Sequence, residues 1–546
     1  MIRTAMTERT TGQSKDFPQS DNSCGNESDN VNLLSQGSLP KNCEPLSGIT
    51  SAPKIDGIDW YATKFSLRQL LHFVGPGFLM CIAYVDPGNL ESDLQAGVRY
   101  GYSLLWVLLW ATAAGLVIQI LTVRLALGTG MHLARVCRNE YPTGMRILLW
   151  LITEAAIVCS DIPEVIGTAF ALKLLFGMPL WSGVLTTGVS TMLFLILNGR
   201  RLELLIGGMV GVMSICFIIE MFLGHESFTG ILTGLAVPRI MDSGAAYLAV
   251  SLIGAVVMPH NLYLHSGSVL SRGATPPAGE GPARLALMYN SVESAASLLI
   301  SLFVNVATVA VAASSITQVD AGLQAAMSTE PLQHAPAMLR SVLGHAAEVV
   351  FALALLASGQ SSTMTGTYAG QFVMEGFVEL RMKPIYRAIF TRSLAIVPSL
   401  ACALIAGEKG SEQLIVFSSV VLSFQLPFAL LPLVKFVGSS KVMGELVLGR
   451  RGVLLAWCIS LVVIAANVYL VLLLVMESGA VTATLSGVLA GLGFLVATLL
   501  YISGIVFLAL RPISQNLTGP IGERFPCGSP EKEMDMSTES FEMTQL

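Results

Sequence analysis

The sequence predicts an all-α protein that crosses a membrane about twelve times, with two of its helices broken part-way along. Three observations lead to this prediction. The 546 residues are 53% hydrophobic and only 12% charged, whereas soluble domains carry about 25% charged residues. The hydrophobic residues form long continuous segments, and two of these segments contain a proline beside polar residues. A lipid bilayer accommodates such a composition, whereas a soluble protein has too little interior to bury it.

Twelve segments are long and apolar enough to be transmembrane helices, each of which takes roughly 20 mostly apolar residues. Each is a continuous, apolar stretch bounded by more polar connections. The predicted spans are 71–97, 102–124, 147–175, 180–198, 203–223, 245–271, 286–313, 346–376, 386–406, 412–435, 453–475 and 482–510.

The spans divide the chain into five parts. Residues 1–54 and 512–546 are polar, contain no apolar run and are predicted to be disordered tails, because such segments cannot bury enough apolar surface to offset the entropy of ordering. Residues 65–240 form a first group of five helices and residues 241–440 a second group. Residues 450–510 add two further helices.

The charges near the span ends predict the orientation in the membrane. One alternate set of connections holds sixteen Lys and Arg residues and the other holds five. Cytosolic connections are the ones enriched in Lys and Arg, so both termini are predicted to be cytosolic. The net charge of −5 and the lack of a long basic run give no indication of a nucleic-acid partner.

Two spans are interrupted at matching positions. The first contains Asp86-Pro87-Gly88-Asn89, and the sixth contains Met258-Pro259. Proline within a helix removes a backbone hydrogen bond and clashes with the preceding turn. The breaks fall in the first helix of two successive groups of five, and because five is odd, the second group is predicted to be inverted relative to the first. Inverted repeats with discontinuous helices at corresponding positions indicate a transporter whose substrate site lies near the middle of the membrane.

The residues at the two breaks are suited to binding a transition-metal ion. A carboxylate such as Asp86 at mid-membrane costs roughly 2.5–3.5 kcal/mol and therefore needs a cation, a proton or a partner. Asn89 can supply an amide oxygen, and Ala255 a backbone carbonyl from the unwound segment. Met258 can supply a thioether, a soft ligand that favours transition metals over Mg²⁺ and Ca²⁺.

Four stretches of the sequence carry a family resemblance. DPGNLESDLQAG at the first break resembles the first-helix signature of NRAMP metal transporters, and GAVVMPHNLYLHS resembles their sixth-helix signature. GQSSTMTGTYAGQFVMEGF is similar to their transport-motif segment. DIPEVIGTAFAL is similar to their third helix, in a form typical of plants and algae.

The resemblance implies a LeuT-like fold and proton-coupled uptake of Mn²⁺ and Fe²⁺ toward the cytosol. It places the metal ligands at Asp86, Asn89, Met258 and the carbonyl of Ala255. It also implies a tenth-helix amide ligand, but the corresponding residue here is Ser419. Such a protein is expected to be a monomer without a resident cofactor, in which metal ions and protons are transported species.

The third predicted span carries a candidate proton route. Glu154, Asp161 and Glu164 are spaced by seven and three residues, which places them near one face of a helix. The resemblance implies that Asp161, Glu164, His260 and Arg392 line the family's proton path. Acids on one face of a membrane helix typically line a water or proton path.

Several residues have a structural alternative. Glu154 is equally compatible with a structural pair to a neighbouring helix, and His265 with packing or capping near the cytosolic end of its helix. Asn305, mid-way along the seventh span, is a weaker supporting candidate that can hold a carbonyl or a water. Arg387 is expected to be an interfacial charge.

Two other functions compete with this hypothesis. A family member with shifted selectivity, for example toward Cd²⁺, Co²⁺, Zn²⁺ or a trivalent ion, is supported by Ser419. An amino-acid carrier of the same fold is disfavoured, because Asp86 in the break would repel a substrate carboxylate. No nucleophile–base pair or cofactor motif indicates an enzyme. The sequence allows the plasma membrane or a vacuolar or endosomal membrane as the location.

Overall fold

We describe the protein from a computed structural model. The description covers residues 60–61, 65–73, 84–196, parts of 208–222, 227–271, 276–277, 279–316, 321–338, 344–380, 384–477 and 485–513. The side chains at 191–196, 384–385 and 485–492, and a few single positions, are not described. The two predicted tails lie outside this part of the chain, apart from residues 512–513.

The described part of the chain forms helices joined by short connections. In the first half these are α1 (Leu67–Phe73), α2 (Pro87–Tyr100), α3 (Leu105–Thr129), α4 (Leu133–Glu140), α5 (Thr143–Phe176), α6 (Leu180–Ile196), α7 (Phe228–Ala236), α8 (Ser243–Val256) and α9 (Pro259–Ser271). In the second half they are α10 (Glu280–Ser315), α11 (Ala321–Thr329), α12 (Pro331–Met338), α13 (Ala347–Val378), α14 (Pro384–Ile405), α15 (Gly407–Val437), α16 (Ser440–Met443), α17 (Arg450–Glu477) and α18 (Leu485–Leu510).

The long helices lie where the sequence predicts spans, with ends that differ by a few residues. Within the described residues, seven helical segments are long and apolar enough to cross a membrane by length and composition. The prediction of twelve spans stays a prediction, because the first span is described only outside 74–83 and the fifth, 203–223, only in parts.

Both predicted breaks are present in the structure. The backbone is non-helical at Val85 and Asp86, and α2 begins at Pro87. Helix α8 ends at Val256, and α9 begins at Pro259 after two non-helical residues. Proline suits the first position of a helix because its missing N–H would have no intrahelical partner there.

Glycines allow the broken helices to approach their neighbours closely. A Cβ atom on Gly97 would collide with the carbonyl oxygen of Val309, so α2 packs backbone to backbone against α10. A Cβ atom on Gly254 would collide with the carbonyl oxygen of Ser419, so α8 packs in the same way against α15. Small residues at such contacts are typical of helix packing in membranes.

The structure corrects the charge count behind the predicted orientation. Arg387 and Arg392 lie within α14 and are 3% and 2% exposed, so they are not loop charges. Without them the cytosolic set holds fourteen Lys and Arg residues against five. The asymmetry, and the predicted orientation, are unchanged.

Candidate metal centre and proton route

The first break is organised around the carboxylate of Asp86. Asp86 is the N-cap of α2, and its Oδ1 accepts hydrogen bonds from the backbone N–H of Asn89 at 2.8 Å and from its side-chain amide at 2.6 Å. Asp86 is 2% exposed and Asn89 is 1% exposed. An N-cap carboxylate also lies at the positive end of the helix dipole, which stabilises its charge.

Asn89 connects the two breaks. Its side-chain nitrogen also donates to the carbonyl of Ala255 at 3.1 Å, while its Oδ1 has no partner among the described residues. Asp86, Asn89 and Ala255, which the sequence analysis named as metal ligands, are thus brought together. The carboxylate, the amide oxygen and the carbonyl offer three oxygen donors within one buried region.

Neighbouring helices hold the first break in place. The hydroxyl of Ser358 on α13 donates to the carbonyl of Val85 at 2.6 Å. Gln119 on α3 donates from its side chain to the hydroxyl of Tyr84. Buried backbone without a helical partner requires such bonds, so these side chains explain how the chain tolerates an interruption there.

The second break places Met258 in the interior. Met258 is 4% exposed and forms an apolar cluster with Ala156 of α5 and Leu422 of α15. Ser419 is also buried on α15. Its hydroxyl donates to the carbonyl of Ile415 on its own helix at 3.3 Å, and its carbonyl lies against Gly254, one residue before Ala255. Ser419 therefore lies beside the broken sixth helix, close to Ala255.

Asp161 and Glu164 form a buried ionic cluster with Arg392. The Arg392 guanidinium lies 3.3 Å from Glu164 Oε2 and 3.8 Å from Asp161 Oδ1. Thr363 of α13, which the sequence analysis missed, donates to Glu164 Oε2 at 2.7 Å and lies 2.5 Å from Arg392 Nη2. The two acids and one arginine share a buried region, a setting in which one carboxyl group can hold a proton while the other pairs with the guanidinium.

Glu154 forms the structural pair that the sequence analysis gave as its alternative. Its Oε2 lies 2.6 Å from the guanidinium of Arg387, and its Oε1 accepts from the indole N–H of Trp150 at 2.9 Å. The expectation that Arg387 is an interfacial charge is wrong, since it is buried and paired with this glutamate.

Three predicted residues take no part in either cluster. His260 and His265 are buried on α9, where His260 Nδ1 and both ring nitrogens of His265 have no partner within the described ranges. Asn305 is buried on α10.

Beyond the first break, toward its C-terminal end, α2 carries acids that the sequence analysis did not single out. Glu91 accepts from Gln95 at 2.5 Å, and its carboxyl group lies against that of Glu412 on α15. Gln95 also lines a cavity of about 560 Å³ near the C-terminal end of α2 and the N-terminal parts of α8 and α15. The signal available in the sequence was the run of polar residues from Glu91 to Gln95 on a short helix within a membrane span.

A hydrogen bond joins the C-terminal end of α2 to the N-terminal end of α8. The Tyr100 hydroxyl donates to Oδ1 of Asp242, the N-cap of α8, at 2.8 Å. The backbone N–H of Ala245 and this hydroxyl hold the pKa of Asp242 below its ordinary value. Asp242 therefore stays ionised at any pH near neutrality.

The sequence is similar to those of known metal transporters. A family profile described as "Natural resistance-associated macrophage protein-like" matches residues 77–473. Metal transporter Nramp3 of Oryza sativa subsp. japonica is 43% identical over 472 residues, which cover 84% of this chain and 85% of that protein. Metal transporter Nramp6 of Arabidopsis thaliana is 43% identical over 478 residues, which cover 85% and 90% of the two chains.

Solved structures show the same architecture. The crystal structure of the Eremococcus coleocola manganese transporter, in complex with an aromatic bis-isothiourea substituted compound, aligns with a TM-score of 0.70 and 26% identity, covering 85% of this chain and 97% of that one. Mhp1, a nucleobase-cation-symport-1 family transporter, aligns with a TM-score of 0.51 and 13% identity over 83% and 96% of the chains, a likeness that concerns the fold alone. The LeuT-like fold implied by the sequence resemblance is confirmed.

Proposed function

The chain belongs to the Nramp family, natural resistance-associated macrophage protein-like, and from this premise we propose that it is a proton-coupled symporter of divalent transition-metal ions. Mn²⁺ and Fe²⁺ are the proposed substrates, with Cd²⁺, Co²⁺ and Zn²⁺ as further candidates. The ions move toward the cytosol by alternating access. The protein is a secondary active transporter and acts as a monomer.

One observation carries this proposal: Asn89 hydrogen-bonds both Asp86 and the carbonyl of Ala255, so the two broken helices meet at a buried carboxylate. When an ion binds, the amide of Asn89 turns its oxygen toward it and releases these two bonds. Asp86 then supplies the negative charge and the Ala255 carbonyl a neutral oxygen. Met258, three residues further along the same break, supplies the sulfur that favours transition metals over hard cations.

Protons move through the cluster on the far side of the first break. Gly88 and Pro87 pack against Pro163 and Gly167 of α5, the helix that carries Asp161 and Glu164. Glu164 lies within about one helical turn of these contacts along α5. A proton displaced from Asp86 by the metal therefore has a buried acid close to it. His260 and His265 continue a polar route toward the cytosolic end of α9, and Glu154 is held by Arg387 nearer that end of α5.

The rival with shifted selectivity rests on Ser419. At this position α15 carries a hydroxyl in place of the amide that the resemblance implies, and that hydroxyl bonds to its own helix, so selectivity depends more heavily on Met258. The amino-acid carrier remains disfavoured, because the acidic side chain of Asp86 lies at the point where such a carrier would receive a carboxylate.

The test is metal uptake by the full-length chain in proteoliposomes, across a panel of ions, with and without an inward proton gradient. We expect Mn²⁺ and Fe²⁺ uptake that rises with the gradient, accompanied by acidification of the lumen. Ca²⁺ or Mg²⁺ uptake equal to that of Mn²⁺ would contradict the role of the thioether. Uptake that does not depend on the proton gradient would contradict proton coupling but would still support metal transport. The plasma membrane and a vacuolar or endosomal membrane are the proposed alternatives for the location. Detection of the protein in separated membrane fractions distinguishes them.

A further inference from the structure

Asp93 is a second buried carboxylate on α2, and the transport scheme above gives it no role. Its side chain is 1% exposed, and no donor within the described part of the protein reaches its Oδ1. The charged side chain that interacts electrostatically with Asp93 is another carboxylate, Asp86. No basic side chain of the described residues offsets this repulsion. A buried carboxylate in this situation requires a cation or a proton.

The position of Asp93 relates it directly to the central site. It follows Asp86 by seven residues, which is about 10.5 Å along a helix and within about 20° of two full turns. Asp93 therefore lies on the same face of α2 as Asp86, two turns nearer the outer end of the helix. Gly97, one turn further out on the same face, packs against Val309 of α10, so an ion reaches Asp93 from outside only after these two helices separate.

The inverted repeat contains a counterpart. Asp86 corresponds to Met258, and the residue seven positions after Met258 is His265. His265 is also buried and also lacks partners for its polar atoms among the described residues. Since the two groups of helices are predicted to be inverted, one of these ligand-type side chains lies outward of the central site and the other inward.

A neighbouring helix brings a second oxygen to the same level. Gly97 of α2 contacts Val309 of α10. In the predicted topology both helices run outward. One turn inward from this contact, α2 carries Asp93 and α10 carries Asn305. Asn305 is buried as well, and its amide oxygen is a ligand type that hard cations accept.

We propose that Asp93 is an outer binding site that holds an incoming divalent cation before it reaches Asp86. The proposal rests on the transport function proposed above. The site offers oxygen ligands without sulfur, so it accepts Ca²⁺ as well as Mn²⁺. Selection against Ca²⁺ then takes place one step later, at the break that contains Met258.

The first part of the test uses the unmodified full-length chain in proteoliposomes. Mn²⁺ uptake is measured over a range of Mn²⁺ concentrations, with and without Ca²⁺ on the side of entry. We expect Ca²⁺ to raise the KM for Mn²⁺ without lowering the maximal rate and without being transported at a comparable rate. If Ca²⁺ leaves the KM unchanged, the outer site does not exist as proposed, whatever the variants show.

The second part uses Asp93→Asn, which keeps the shape of the side chain and removes its charge. We expect a KM for Mn²⁺ raised by about tenfold, which is about 1.4 kcal/mol of binding free energy, an unchanged maximal rate, and loss of the competition by Ca²⁺. Asp93→Glu should retain both properties in part. If Asp93 is only a neutral, protonated structural group, Asp93→Asn leaves both the KM and the Ca²⁺ competition as in the wild type, which would overturn the proposal.

Ser92→Ala is the matched control, because Ser92 is the preceding residue, is equally buried, and bonds to Ser251 of α8 at 2.9 Å. A rise in KM shared by Ser92→Ala and Asp93→Asn would show general damage to α2 and contradict the inference. The proposed function fails separately, through absence of Mn²⁺ uptake by the wild type. Normal wild-type uptake without Ca²⁺ competition overturns the outer site alone.

Discussion

The two helix breaks follow the same sequence pattern but differ in how their polar groups are satisfied. At the first break, Asp86 caps α2, Asn89 bonds to Asp86 and to Ala255, and Ser358 from α13 holds the carbonyl of Val85. At the second break, Asn261 occupies the position that matches Asn89, yet neither its Oδ1 nor its Nδ2 has a partner among the residues described.

The contrast concerns Asn89 and Asn261 and not the whole helices, because Asp93 of α2 and its counterpart His265 of α9 both have unpartnered polar atoms within the described ranges. Asn261 is 3% exposed, and His265, one turn further along α9, has both ring nitrogens unpartnered within the described ranges. A buried polar group without a hydrogen bond costs about 1–3 kcal/mol. Asn89 has one unpartnered polar atom, Oδ1, and Asn261 has two among the residues described, so the second break bears the larger cost. Such a cost is retained where the groups meet water or an ion in another conformation. The comparison indicates that hydrogen bonds fix the first break, whereas Asn261 at the second break can gain a partner in another conformation.

The largest expected effect concerns the charge at the first break. Asp86→Ala should reduce Mn²⁺ uptake to below about a tenth of wild type, because one lost charged ligand costs more than the 1.4 kcal/mol that corresponds to tenfold binding. Uptake is measured in proteoliposomes at saturating Mn²⁺, with folding checked by size-exclusion chromatography. Residual Mn²⁺ transport above that level would count against Asp86 as the central ligand.

The next effect separates the two asparagines. Asn89→Ala removes bonds that hold the first break and should lower the free energy of unfolding by about 1–3 kcal/mol. Asn261→Leu removes an unsatisfied buried amide at nearly constant volume, so thermal stability should be unchanged or higher, while uptake falls by about tenfold. Thermal unfolding in detergent and uptake are measured on the same preparations. Equal destabilisation by both changes would show that the asymmetry between the breaks is not real.

Sequence reasoning could predict this comparison only in part. Pro87 and Pro259 predict the breaks because a proline interrupts the helix that contains it. The spacing of Asp161 and Glu164 predicts that they share a face, because that too depends on one helix alone. The pairs of Arg387 with Glu154 and of Glu91 with Glu412 join residues more than 200 positions apart. Hydropathy and periodicity describe one helix at a time, so they contain no information on which faces of two distant helices meet.

A smaller effect is expected for the sulfur of the second break. Met258→Ala should raise the uptake of Ca²⁺ relative to Mn²⁺ by about threefold, because the remaining ligands are oxygens that do not discriminate between these ions. Met443→Ala is a matched control, since Met443 is equally buried but packs against Gly128 on α3. An unchanged ion ratio in Met258→Ala would show that the second break does not contribute its sulfur to the ion.

The smallest effect is expected at the contact between α15 and the second break. Ser419 and Ser418 are both buried, and both donate to the carbonyl of Ile415, at 3.3 and 2.7 Å. A serine bonded to its own helix contributes little to its surroundings, so Ser419→Ala and Ser418→Ala should each leave Mn²⁺ uptake within about twofold, well under the 1.4 kcal/mol of a tenfold change. A loss confined to Ser419→Ala would show that its hydroxyl turns toward the ion during transport. The second break would then gain a polar partner from α15, and the difference between the two breaks would be smaller than their hydrogen bonds indicate.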